Sequence, residues 1–143
     1  LLFCDFGAIG PAERRQVLDV VRAHLAPGGR FVFDVHGLGH WDAFKEGETV
    51  EERGPGFWST APHRVREVRR RFPAQAVCLN HFFVEESERT REFWNWTACY
   101  SREALDEELG RAGWAIETAH GDVRGRPFAR GLEEWAVVTA PVA

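Results

Sequence analysis

The sequence predicts an α/β fold in which strands and a helix are followed by a block of antiparallel strands. Two apolar runs, residues 1–6 and 30–36, lack polar alternation, which is typical of strands buried on both faces. Between them, apolar residues recur at helical spacing after Pro11, which suits the first position of a helix. A strand–helix–strand unit is therefore expected at the start of the chain.

The middle and end of the chain predict further elements. Glycines and prolines interrupt residues 37–62, which predicts a loop with a short helix near residues 41–45. Alternating patterns predict antiparallel strands at residues 66–72, 75–86 and 90–100. Ser101 suits a helix N-cap and Gly113 a helix end, and strands are expected at 114–119 and 135–140.

Composition limits the classes of function. The 143 residues are 44% hydrophobic and 28% charged with a net charge of −4, which excludes wholesale disorder and argues against a nucleic-acid binder. No apolar run approaches the ~18 residues of a membrane span. We therefore expect neither nucleic acid nor membrane as a partner. The three cysteines lack CxxC spacing, which predicts reduced thiols in a cytoplasmic protein rather than a disulfide scaffold or zinc site.

Polar residues at the ends of predicted strands are candidates for chemistry. Asp5 and Asp34 each come near the end of an apolar run, where a carboxylate either binds a ligand or acts as a base, or caps its own turn. His36 and His40 flank a Gly-Leu-Gly segment that rules out helical ligand spacing. We therefore predict no metal and interpret His36 as a polar pocket residue.

An aromatic face on the predicted strand 90–100 is the second candidate. Trp94, Trp96 and Tyr100 share one face, which either forms the wall of a pocket or packs on the flank of the sheet. Five arginines and one glutamate in residues 64–71 are interpreted as the solvated face of an edge strand.

Several segments resemble one known family. Residues 4–9, the Leu-Ala-Pro-Gly-Gly turn at 25–29 and residues 30–34 resemble the second half of a class I S-adenosylmethionine-dependent methyltransferase. Residues 100–114 resemble the helix that precedes the sixth strand of that family, and residues 135–138 resemble its antiparallel seventh strand. The resemblance therefore covers both ends of the chain, while residues 37–100 match only in position.

The resemblance implies a fold and a division of the chain. It implies an α/β fold with a Rossmann-like methyltransferase sheet, here partial with strands four to seven, and an antiparallel β insertion. Residues 1–36 would form the strand–helix–strand core, 37–100 the substrate-shaping loop and insertion, and 101–143 the helix and final strand pair. The chain contains no methionine and opens within an apolar run, so we expect it to be part of a longer domain.

The resemblance also implies methyl transfer from S-adenosylmethionine to a small molecule. Asp5, Phe6 and Gly7 would lie near the methionine moiety and methyl group of the cofactor, with Asp5 orienting or deprotonating the acceptor. His36, Trp96 and Tyr100 would line the acceptor pocket. The family's Gly-rich loop and ribose-binding acid have no counterpart here, so this chain alone is expected to be inactive.

Two alternative functions and one association remain open. The chain is alternatively a non-catalytic small-ligand module that uses the aromatic hairpin, or a fragment of a nicotinamide-dependent enzyme. If residues 1–6 form a strand with an unpaired edge, that edge favours a homodimer or another association.

Overall fold

A computed structural model describes residues 1–142 and contains one mixed sheet with helices packed against it. The α-helices are α1 (Pro11–His24), α2 (Leu38–Ala43) and α3 (Arg102–Arg111). The strands are β1 (Phe31–Gly37), β2 (Gly47–Arg53), β3 (His63–Phe72), β4 (Val77–Glu85), β5 (Thr90–Tyr100), β6 (Trp114–His120) and β7 (Glu134–Pro141). Two short 3-10 helices span Asp5–Ala8 and Pro73–Gln75. None of the helices in residues 1–142 is long and apolar enough to span a membrane.

The seven strands are ordered β2-β3-β4-β5-β1-β7-β6. Strands β2 to β5 form an antiparallel meander, and β7 pairs antiparallel with β1 on one side and β6 on the other. The predicted α/β fold with an antiparallel insertion is thereby confirmed. The predicted strands after residue 62 agree with β3 to β7 within about three residues at each end.

A narrow junction joins the two parts of this sheet. Strands β1 and β5 run parallel and pair only at His36 with Cys99 and at Gly37 with Tyr100. Nearer the amino end of β1, the N-terminal amine of Leu1 donates to the carbonyl of Val32 at 3.0 Å. The carboxyl end of β1 therefore neighbours β5, and its amino half neighbours the first residues of the chain.

The core lies between the sheet and helices α1 and α3. Leu18 of α1 and Leu105 and Leu109 of α3 are buried against Phe33 and Val35, which share one face of β1. The predicted ends of α3 are confirmed. The Ser101 hydroxyl accepts the Ala104 N–H at 3.1 Å, and Gly113 follows the helix with a φ of 72°.

The predicted strand at residues 1–6 is wrong. Phe3 and Cys4 have φ angles of 67° and 59°, which turn the chain out of an extended path into the 3-10 helix Asp5–Ala8. The Asp34 carboxylate holds this turn by accepting the N–H groups of Phe3 and Cys4 at 3.2 and 2.8 Å. The strand–helix–strand unit therefore lacks its first strand, and Asp34 caps a distant turn rather than its own.

The prediction that β1 is buried on both faces is also wrong. Phe33 and Val35 are fully buried, whereas Val32, on the opposite face, is 42% exposed. Helices α1 and α3 cover only the first of these faces. The continuous apolar pattern of residues 30–36 therefore predicted burial of both faces, whereas only one face of β1 is fully buried.

The predicted loop at residues 37–62 contains the expected short helix, α2, which begins about three residues earlier than predicted, and it also contains the strand β2, which was not predicted. Strand β2 is acidic, and Glu48 and Glu52 form ion pairs with Arg66 and Arg64 of β3. Opposite charges on neighbouring strands stabilise the pairing of β2 with β3. Because β2 shows no apolar periodicity, the sequence pattern did not predict this strand. The edges of the sheet are consequently β2 and β6, not the arginine-rich β3 or residues 1–6. Association through an edge at residues 1–6 thus loses its structural basis and stays only a prediction.

Gly7 offers a test of how the 3-10 helix packs on β5. A Cβ at Gly7 would lie 2.7 Å from the carbonyl oxygen of Ala98, a backbone atom that cannot move aside cheaply. We expect Gly7→Ala to lower the free energy of unfolding by about 1–3 kcal/mol, as measured by urea denaturation.

The matched control is Gly110→Ala in α3, where nothing lies within 4 Å of the added methyl group. Alanine favours a helix over glycine, so this variant should be neutral or stabilised by up to ~1 kcal/mol. Equal stability of Gly7→Ala and the unsubstituted protein would show that Gly7 does not fix the packing of the 3-10 helix.

Candidate active site

Two cavities adjoin the carboxyl ends of β1 and β5. The larger has a volume of about 740 Å³ and the smaller about 300 Å³, and both are lined by Leu38, Tyr100 and Ser101. In open α/β sheets, ligands bind beyond the carboxyl ends of the strands, which is where these cavities lie. Their position and size make them the candidate site.

The larger cavity is enclosed by segments from both parts of the fold. Residues 7–11 and Arg14 form one wall, and the 3-10 helix Pro73–Gln75 contributes another part of the lining. Trp96 of β5 is 43% exposed and also lines the cavity. A volume of about 740 Å³ is in the range of small-molecule sites.

The smaller cavity depends on close backbone packing around two glycines. The N–H groups of Gly37 and Gly39 donate to the carbonyls of Glu133 and Leu132 at 2.7 and 3.1 Å. A side chain at either glycine would collide with the backbone of residues 131–132. The Gly-Leu-Gly segment therefore allows the loop before β7 to approach α2 and close the smaller cavity.

A buried polar cluster borders the larger cavity. Arg14 of α1 donates from Nε to Glu108 Oε1 at 2.5 Å and from its guanidinium to the Ile9 carbonyl at 2.6 Å. The Tyr100 hydroxyl donates to Glu108 Oε2 at 3.0 Å. Burial, and then the Glu108 carboxylate, raise the pKa of Tyr100 above its usual range. Tyr100 is therefore a neutral donor and not a base at neutral pH.

The structure brings together three of the six predicted site residues. Gly7, Trp96 and Tyr100 line the larger cavity. Phe6 is fully buried in the core, with its ring centroid 4.6 Å from that of Phe33. Asp5 is exposed on the 3-10 helix and is not among the residues that line either cavity. Its predicted catalytic role stays a prediction.

His36 lies apart from both cavities, in a cluster with His40. The two imidazole centroids are 4.1 Å apart, and the His36 Nδ1 atom lies 3.9 Å from the Glu134 carboxylate. That nitrogen is buried without a hydrogen-bond partner among residues 1–142. Burial, and then the neighbouring His40, lower the pKa of His36, so its imidazole is neutral at pH 7.

The three cysteines are buried, and none of them forms a disulfide within the described residues. Burial raises the pKa of Cys4 and of Cys99 to about 12, and it also raises the pKa of Cys78. A nucleophilic cysteine requires a thiolate, which these environments disfavour. The site therefore does not support thiolate attack on a substrate.

Sequence reasoning missed Arg14 and Glu108. Each stands on a helix rich in charged residues, where a further arginine or glutamate is normally solvated. Their pairing joins residues 94 positions apart, and no local pattern links them. Only the packing of α1 beside α3 places the guanidinium on the carboxylate.

The Arg14–Glu108 pair predicts a large effect of one glutamate on stability. We expect Glu108→Ala to lower the free energy of unfolding by about 2–3 kcal/mol, because it leaves the buried Arg14 guanidinium without its partner. This figure allows for the remaining 28% exposure of the Glu108 side chain. Urea denaturation followed by tryptophan fluorescence measures it.

The matched control is Glu107→Ala, one position earlier in the same helix. Glu107 is 67% exposed and, among residues 1–142, pairs only with Arg111 one turn away, so its loss should cost under ~0.5 kcal/mol. Equal costs for the two variants would contradict a structural role of the buried pair.

Comparison with known proteins finds a similar fold in solved structures of methyltransferases. No protein-family model matches the chain, and no curated protein matches it. Among solved structures, it is similar to the CcbJ methyltransferase from Streptomyces caelestis, with 22% identity and a TM-score of 0.66 over 99% of this chain and 58% of CcbJ. It is also similar to an S-adenosylmethionine-dependent methyltransferase from Clostridium acetobutylicum ATCC 824, with 12% identity and a TM-score of 0.67 over 99% of this chain and 56% of the other.

The chain therefore spans less than two thirds of each of these proteins. At these identities the likeness concerns the fold. This α/β chain has the Rossmann-like fold found in S-adenosylmethionine-dependent methyltransferases, with an antiparallel β insertion.

Proposed function

We propose that this chain is the acceptor-binding part of a longer enzyme that transfers a methyl group from S-adenosylmethionine to a small molecule. The observation that carries the proposal is the cavity of about 740 Å³ at the carboxyl end of β5, within a methyltransferase fold. Strand β5 comes from the insertion, whereas Gly7 and Arg14 come from the segment that leads into the core. The two segments that the resemblance assigns to cofactor and acceptor thus meet in one space.

The residues around this cavity suit one end of the cofactor. S-adenosylmethionine carries its methyl group on a sulfonium centre. When the acceptor takes the methyl group, the sulfur leaves as a neutral thioether. The backbone around Gly7 lines the cavity, and the Asp5 carboxylate lies exposed two residues earlier. The Arg14 guanidinium is not available to bind the cofactor, because it already donates hydrogen bonds to Glu108 and to the Ile9 carbonyl. We therefore assign the methyl-bearing end to this segment, and the ribose and adenine to residues outside this chain.

Trp96 and Tyr100 give the acceptor side its character. The Trp96 ring packs against Phe72 at 5.5 Å and presents a flat apolar surface to the cavity. Such a surface binds a planar or cationic group and excludes water from it. Hydrogen bonds from the Tyr100 hydroxyl to Glu108 and from Trp135 to the Tyr100 carbonyl fix Tyr100 beside it. Positioning an acceptor in line with the methyl group supplies much of the acceleration that methyl transfer needs.

The proposal predicts weak cofactor binding by this chain alone. We expect calorimetry to detect little or no binding of S-adenosylmethionine by the 143-residue chain, because the groups for the ribose and adenine are assigned elsewhere. The control is the longer enzyme, which should bind it. Micromolar binding by the 143-residue chain would contradict this division of the site.

Methyl-transfer kinetics of the longer enzyme test the site residues. We expect Trp96→Ala to raise the Michaelis constant of the acceptor about tenfold, the equivalent of losing ~1.4 kcal/mol of ring contact. Asp5→Asn should lower turnover with little change in cofactor affinity, as expected of a residue that acts on the acceptor.

The matched control for Trp96 is Trp94→Ala. Trp94 lies on the same face of β5, is 54% exposed and stacks on His81 away from the larger cavity. Its loss should leave the Michaelis constant unchanged. If Trp96→Ala and Trp94→Ala have the same effect, the acceptor does not bind in this cavity. An enzyme that methylates no small acceptor would refute the proposed function itself.

A further inference from the structure

The three cysteines of the chain gather with two histidines at the junction of β1 and β5. Cys99 faces His36 across the two-residue parallel ladder, and the His36 and His40 rings are in contact at 4.1 Å. The ligand atoms of His40, Cys78 and Cys99 all lie within 4.8 Å of one another. Cysteine spacing along the sequence gives no hint of this group, because its members come from three elements.

Although the sequence predicts no metal, we propose from this grouping that Cys78, Cys99 and His40 bind a zinc ion. Two thiolates and an imidazole are ligands that Zn²⁺ prefers, and a three-ligand site leaves a fourth position for water. Zinc binds sulfur at about 2.3 Å and imidazole nitrogen at about 2.0–2.1 Å, so tetrahedral ligands lie ~3.5–3.8 Å apart. The ligand atoms lie at most 4.8 Å apart, so side-chain shifts of about 1 Å would bring them to this geometry.

The backbone already holds the two cysteines in place. Cys78 of β4 pairs with Thr97 of β5, and Cys99 follows two residues later on the same strand. The Cys99 N–H donates to the Ala76 carbonyl at 2.8 Å, which fixes the end of β5 against the turn before β4. Both thiols are buried, so little order remains to be imposed when a metal binds.

His40 is the ligand that the rest of the structure leaves free. It lies on α2, directly after β1, and its ring nitrogens make no hydrogen bond within residues 1–142. Metal binding would connect α2 to both β4 and β5. It would therefore connect the insertion to the core at a junction where β1 and β5 share two residue pairs.

A second group of potential ligands, Cys4, His36 and Glu134, lies next to the first. It offers one sulfur, one nitrogen and one carboxylate, and Glu134 is 65% exposed. A soft thiolate pair distinguishes the first group, which we therefore assign to zinc. When zinc binds there, the two thiol protons leave to solvent, and the charge of the bound cation offsets the burial that disfavours the thiolates in the metal-free chain. No oxidant or reductant is involved.

Titration of the metal-free, reduced 143-residue chain with ZnCl₂ tests the assignment. Calorimetry should show one zinc ion per chain, and thermal unfolding should shift to higher temperature, because the unfolded chain lacks the assembled site. Replacement by Co²⁺ should give the near-ultraviolet charge-transfer band of a cobalt–thiolate bond, which carboxylate or imidazole binding alone does not produce.

Variants identify the ligands. Cys78→Ser, Cys99→Ser and His40→Ala should each lower zinc affinity at least tenfold and, for the cysteines, weaken the cobalt band. His40 is only partly buried, so His40→Ala tests the site even if a cysteine variant fails to fold, as judged by circular dichroism. The matched control is His24→Ala, an exposed histidine on α1, which should bind zinc like the unsubstituted chain.

Three outcomes would overturn the proposal. The first is no zinc binding by the folded, reduced chain at micromolar concentrations. The second is binding without the cobalt–thiolate band, which would indicate surface histidines and carboxylates. The third is binding that Cys4→Ser or Glu134→Gln abolishes and Cys78→Ser leaves intact, which would assign the metal to the neighbouring group. The proposed methyl transfer stands or falls independently of all three.

Discussion

The two-residue parallel pairing of β1 with β5 is the constraint on which the rest of the structure depends. It joins an antiparallel meander of four strands to a three-stranded group that carries the core. So short a ladder contributes few hydrogen bonds, and other contacts reinforce it. Asp34 holds the turn at Phe3 and Cys4, Gly7 packs on Ala98, and the Trp135 indole donates to the Tyr100 carbonyl at 3.2 Å. Both cavities and both groups of candidate metal ligands border this junction.

The buried polar side chains near the junction form hydrogen bonds that connect different helices and strands. Arg14 and Glu108 connect α1 to α3, and Tyr100 connects the same carboxylate to β5. A buried charge requires such a partner, because transfer from water into the protein costs several kcal/mol. The pair therefore fixes the relative position of three elements, and these three elements line the larger cavity. The shape of the proposed acceptor site follows from electrostatic requirements as well as from apolar packing.

The proposed division of the site into a cofactor side and an acceptor side follows from the same geometry. Trp96 belongs to an insertion strand and lies outside the core, whereas Tyr100 of the same strand is buried in the core under α1 and α3. Gly7 belongs to the segment that enters the core, and its contact with the Ala98 backbone leaves no space for a side chain. The wall that contains Trp96 and the wall that contains Gly7 are thus built from different parts of the chain.

The sequence by itself determined those elements whose signals are local. Helical spacing and Pro11 define α1, Ser101 and Gly113 define α3, and period-two alternation defines β3 to β5. Of the predicted site, Gly7, Trp96 and Tyr100 line the cavity, because strand alternation already places Trp96 and Tyr100 on one face. The tertiary structure alone decided what depends on distant partners. Residues 1–6 form a turn because Asp34 accepts their N–H groups, and β2 is a strand because β3 offers it arginines. Arg14 meets Glu108, and Cys78 meets Cys99 and His40, only after the chain has packed. Hydrogen bonds and charges between residues far apart in sequence leave no periodic trace along the chain, and for this reason the sequence did not predict them.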